Sequence, residues 1–118
     1  MNRRKQENTW IWFIKQASGG LVFLVILVHL VVNHLVAAGG LLTYSDVIRY
    51  FSHPWVVVME IFFLIVVVGH SLLGLRSILL DFNPTAAFLR VTDFVFVILG
   101  SAAVLYGVWL ALTIASVV

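Results

Sequence analysis

The chain has 118 residues, 63% of them hydrophobic and only 10% charged, with a formal net charge of +2. Soluble domains carry about a quarter charged residues, so this composition excludes a soluble enzyme or a nucleic-acid-binding module and points to a membrane protein. Without cysteine the chain has no disulfides, thiolate metal sites or cysteine-held iron–sulfur clusters of its own.

Residues 1–15 collect Arg3, Arg4, Lys5 and Lys15 together with Trp10, Trp12 and Phe13. The apolar run that follows is long and ends at no small-residue cleavage site, so a retained helix is expected rather than a signal peptide. The tryptophans suit a membrane interface. The first span is expected at about 18–38, opening on Ser18, Gly19 and Gly20, small residues that permit close helix approach. It contains His29, Asn33 and His34, and Gly39-Gly40 ends it. A polar loop through Tyr44, Asp46, Arg49 and Tyr50 leads to Ser52-His53-Pro54, with Ser52 the expected cap and proline in the first turn.

The second span is expected at about 54–80, interrupted by Glu60, His70 and Arg76, and closed by Asn83-Pro84. The third, about 85–117, begins at Thr85 and carries Arg90 and Asp93 in its first turns. The fold class is therefore an all-α membrane protein with three transmembrane helices, read as one domain over 1–118 that needs partner subunits to complete its core. Arg3, Arg4, Lys5, Lys15, Arg76 and Arg90 fall on one side of the membrane and only Arg49 on the other, which puts the N-terminus in the cytoplasm.

Ionisable groups inside a span mark cofactors, ion paths or substrate sites. His70 is the first candidate: a neutral imidazole ligates haem iron through one nitrogen and uses the other for a local hydrogen bond. Gly74, one turn on, shares its helical face and leaves room for a flat macrocycle. Arg76, nearer the wet end, suits a haem propionate or a quinone oxygen. The competing reading is a histidine hydrogen-bonded to a neighbouring helix, with Gly74 a packing notch. His29 lies at membrane depth with Asn33 on its face; His34 is turned away and nearer the outer interface, and His53 reads as a surface residue. Glu60 is either a proton-carrying carboxylate or a charge favoured by the start of its helix.

His70-x-x-x-Gly74-x-Arg76-x-x-x-x-Asp81-Phe82 resembles the second-helix signature of the membrane anchor subunits of succinate dehydrogenase and fumarate reductase. Ser18-Gly19 followed by His29 is similar to the first helix of the dihaem anchors. The resemblance implies that His70 and His29 are axial ligands of two haem b groups. A second, homologous anchor chain would supply the opposite ligands and complete a haem-binding bundle. It further implies an iron–sulfur subunit, an FAD flavoprotein and membrane quinone as partners, in the cytoplasmic membrane. Ser18, Gln16, Trp10, Arg76 and Asp81 are the expected quinone or propionate vicinity, although Gln16 stands where the family pattern has arginine and Phe82 replaces a tyrosine. Counting inward from Ser18 and from Asp81 places both histidines eleven residues deep. Stacked haems need ligands at different depths, so His34 stays open as the outer ligand, and a single-haem version stays open too. Two other classes remain: a small proton-coupled exporter using Glu60, which requires four spans and a carboxylate on the first helix, and a non-catalytic assembly subunit with structural histidines.

Overall fold

A computed structural model describes residues 8–36, 39 and 43–117. The described residues are mainly helical, in the order α1 (Thr9–Val31), a π-helical turn (Val32–Val36), α2 (Tyr44–Phe51), α3 (Pro54–Asp81) and α4 (Ala86–Ala115). Three stretches are long and apolar enough to cross a membrane: Thr9–Val36, Pro54–Asp81 and Ala86–Ala115. At about 1.5 Å rise per residue each exceeds the ~30 Å hydrocarbon layer. The chain is a multi-pass membrane protein.

Local chemistry sets the ends. The Asn8 side chain accepts from the Trp10 N–H at 3.1 Å and starts α1 nine residues before the expected span, so the Trp10–Lys15 segment is itself helical. Thr43 and Asp46 form a reciprocal capping box at the start of α2. Ser52 does not cap α3: its hydroxyl donates to the Arg49 carbonyl at 2.6 Å and so closes α2. His53 takes the cap position and Pro54 the first turn, where a missing N–H costs nothing. Asn83, at φ 54°, reverses the chain after α3 in the left-handed conformation asparagine tolerates. Thr85 then caps α4 through the Phe88 N–H at 3.2 Å. Of the residues expected to set orientation, Arg3, Arg4 and Lys5 lie outside the described residues, as do Ala38 and Gly40 at the expected end of the first span.

The central helix is α3, packed against α1 on one side and α4 on the other, while α2 lies across the ends of α3 and α4. Among the described residues α1 and α4 do not meet. Two glycines let α4 close on α3. A Cβ at Gly100 would stand 2.7 Å from Leu72 Cδ1, and one at Gly107 would overlap Leu64. Few side chains are buried: Val25, Tyr50, Val56, Val57 and Ala111 form the apolar core, while Phe23, Leu24 and Leu105 remain exposed. The spans are apolar all round, the pattern of helices whose remaining faces meet lipid or other chains.

Candidate functional site

The α1–α3 seam carries two polar clusters. At the one nearer the start of α1, Ser18 Oγ lies 2.9 Å from His70 Nδ1 and 2.9 Å from the Lys15 carbonyl oxygen. A hydroxyl has one proton. Donating it to the Lys15 carbonyl leaves Oγ to accept from Nδ1–H, which fixes the His70 tautomer and makes Nε2 the lone-pair nitrogen. Nε2 hydrogen-bonds to no described residue. The ring packs on Gly19, where a Cβ would come within 3.4 Å of His70 Cε1, so the small first-helix residue is what admits the imidazole. One turn nearer the start of α1, Lys15 Nζ donates to Ser77 Oγ at 2.8 Å. Gly74 faces open space, with nothing within 4 Å of a built Cβ. It is not a packing notch within this chain.

The second cluster, nearer the end of α1, joins three elements. His29 Nδ1 stands 3.1 Å from Glu60 Oε1, and the Tyr50 hydroxyl donates to the same Oε1 at 2.6 Å. The imidazole stacks on Phe63, with centroids 4.9 Å apart and an interplanar angle of 23°. The π-helical turn brings Asn33, 5% exposed, under this group, and its Nδ2 donates to the His29 carbonyl at 2.8 Å. The same carbonyl also accepts from the Val32 N–H, so the side-chain amide adds a second donor to it. Burial, reinforced by the hydrogen bond and charge of Glu60, holds the Tyr50 phenol well above its usual range, so it remains a donor at physiological pH. His34 is exposed, its Nδ1 3.2 Å from the Leu30 carbonyl, and does not join the cluster.

This register revises the expected depths. Ser18 is not level with Asp81 at the inner edge; it faces His70, because α1 begins at Thr9. Eleven residues separate Ser18 from His29 along α1, about 16 Å of rise. His29 and His70 therefore sit at different levels of one seam, and the depth argument for His34 falls away.

Arg76 lies six residues beyond His70, about 120° round the helix, and faces α4. Its Nε and Nη2 donate to the two Asp93 oxygens at 2.6 and 3.1 Å, a bidentate pair. The pair closes the polar end of an open groove of about 730 Å³ between α3 and α4, lined chiefly by apolar side chains such as Leu72, Leu73, Phe96 and Val97. Trp10 and Gln16 in the first turns of α1 and Asp81 at the end of α3 are exposed, and Trp10 packs edge-on against Phe13 at 6.3 Å. The sequence reading missed Tyr50 and Asp93 as partners and undervalued Glu60. Glu60 is 16% exposed and accepts a hydrogen bond from the Tyr50 hydroxyl.

No curated relative and no solved structure matches the chain. A family model described as succinate dehydrogenase/fumarate reductase transmembrane subunit matches residues 2–117. With three membrane-spanning helices and nearly the full length matched, the chain belongs to the succinate dehydrogenase/fumarate reductase transmembrane subunit family.

Proposed function

We propose that this membrane subunit is a haem b-binding anchor of a succinate:quinone oxidoreductase. In this reading it docks the iron–sulfur subunit and helps carry electrons to membrane quinone. The observation that carries the reading is the Ser18–His70 hydrogen bond at 2.9 Å beside the cleared face at Gly74. It commits Nδ1 to the protein and leaves Nε2 for iron, with space one turn away for a macrocycle. His29 fits a second haem: its Nδ1 is turned to Glu60, and it lies about 16 Å further along α1. Three or more metal-ligating side chains converge nowhere among the described residues. Haem does not require such a cluster, since each chain need contribute only one axial imidazole.

Bound haem supplies one-electron redox chemistry between the iron–sulfur centre and quinone. The chain's own residues hold and tune it. Ser18 orients His70, Phe63 fixes the plane of His29, and the exposed apolar faces of α1 and α3 meet a second anchor that brings the opposing ligands. Lys15, Ser77, Arg76 and Asp81 give the inner end its polar groups, near which a quinone headgroup meets donors within an apolar wall. In this reading the basic N-terminal sequence favours the cytoplasmic face for this end, where the iron–sulfur and FAD subunits would dock. The exporter alternative is disfavoured, because the described residues hold three candidate spans and the half-buried Glu60 is on the second.

The test is the visible spectrum of the intact complex purified in mild detergent, dithionite-reduced minus oxidised. A haem b spectrum reduced by succinate is expected. A colourless complex with full succinate–quinone activity overturns the haem assignment.

A further inference from the structure

A carboxylate at membrane depth is costly and needs a reason. The start of α3 offers Glu60 some favourable dipole, but that explains neither the Tyr50 hydroxyl at 2.6 Å nor the approach to His29 at 3.1 Å. The His29 Nδ1 atom is buried and makes no aligned hydrogen bond in the isolated chain, although Glu60 Oε1 is within reach of it. Its imidazole is otherwise restrained: Phe63 stacks on the ring, and Asn33 grips the His29 carbonyl. The 3.1 Å separation puts the carboxylate oxygen within hydrogen-bonding distance of this nitrogen. A metal-bound histidine characteristically donates its second nitrogen to such an acceptor, which fixes the tautomer and raises ligand basicity.

We propose that Glu60, held in place by Tyr50 of α2, is the positioning residue of His29: its carboxylate accepts a hydrogen bond from Nδ1–H and so turns the Nε2 lone pair towards the haem. The proposal rests on the reading of His29 as an axial ligand. It makes the two histidines unlike. His70 is oriented by a neutral hydroxyl and His29 by an anion, so each haem has its own tuning residue within this chain.

The intact complex with H29A, E60Q and Y50F separates the possibilities, read by haem content, redox titration of each haem and low-temperature electron paramagnetic resonance. H29A loses one of two haems, which identifies the signal belonging to His29. E60Q keeps that haem, because the amide oxygen still accepts the hydrogen bond from Nδ1–H. Loss of the negative charge shifts its midpoint potential upwards and moves its low-spin resonance, while the His70 haem is unchanged. Y50F frees the carboxylate from its hydroxyl donor and moves the same resonance alone. Full haem in H29A overturns the axial role of His29, and this proposal with it. Loss of one haem in H29A, with both signatures unmoved in E60Q, overturns the proposal while the haem reading stands. Should E60Q fail to assemble, an unmoved resonance in assembled Y50F is equally decisive against it.

Discussion

Ser18→Ala removes one oxygen and leaves the helix intact, because the Ser18 hydroxyl only supplements the backbone bonding of α1. What it removes is the acceptor for His70 Nδ1, 2.9 Å away. A neutral hydrogen bond of this kind contributes about 1 kcal/mol net. Losing it relaxes the tautomer preference, so the Nε2 lone pair is no longer guaranteed and haem binding weakens by roughly fivefold. The Gly19 contact with the ring persists, which keeps the imidazole in place and separates tautomer from packing. The assay is transfer of haem from purified complex to excess apomyoglobin, followed in the Soret band. S18A should release haem about five times faster than the parent, and S18T, which restores a hydroxyl, should recover most of the difference. Equal release from S18A and the parent, with an unchanged low-spin resonance, refutes the idea that Ser18 sets the His70 tautomer.

The Arg76–Asp93 pair ties α3 to α4, and its side chains are 27% and 43% exposed. Charge-assisted bonds reach about 1.5–3 kcal/mol when buried, and partial exposure reduces this to a coupling of about 1 kcal/mol. A double-mutant cycle of R76A and D93A, unfolded in mixed micelles, measures it, and a coupling below about 0.3 kcal/mol contradicts the pairing. The glycines divide by neighbour: G107A collides with Leu64 and should cost about 1–3 kcal/mol of stability. At Gly74 a Cβ meets nothing within 4 Å among the described residues, so G74A should leave folding unchanged while crowding haem at the His70 face. Thermal unfolding and haem content of the two variants check this, and the opposite assignment of effects refutes it.

The spans were legible because long apolar runs carry few charges (Glu60 and Arg76 alone within 54–80), and Thr85, Pro54 and Asn83 mark ends by their own stereochemistry. The register between α1 and α3 was not. Counting from Ser18 assumed that it marks the membrane edge, whereas the Asn8 cap extends α1 through the tryptophans and carries Ser18 two turns deeper. Antiparallel neighbours keep the sum of facing residue numbers nearly constant. Once Ser18 is matched to His70, Glu60 falls opposite His29, a signal present in the sequence and readable only after one contact is known. Tyr50 reaches this cluster from a short helix outside the spans, and Asp93 reaches Arg76 across the turn at Asn83-Pro84. Neither follows from periodicity within one helix.

The central claim is that His70 ligates haem iron, and the most direct measurement is the reduced-minus-oxidised spectrum of the intact complex carrying His70→Ala. The account predicts loss of one haem b signal with the other retained, and partial recovery when imidazole is added to the purified variant. A spectrum identical to the parent's in position and amplitude would contradict it.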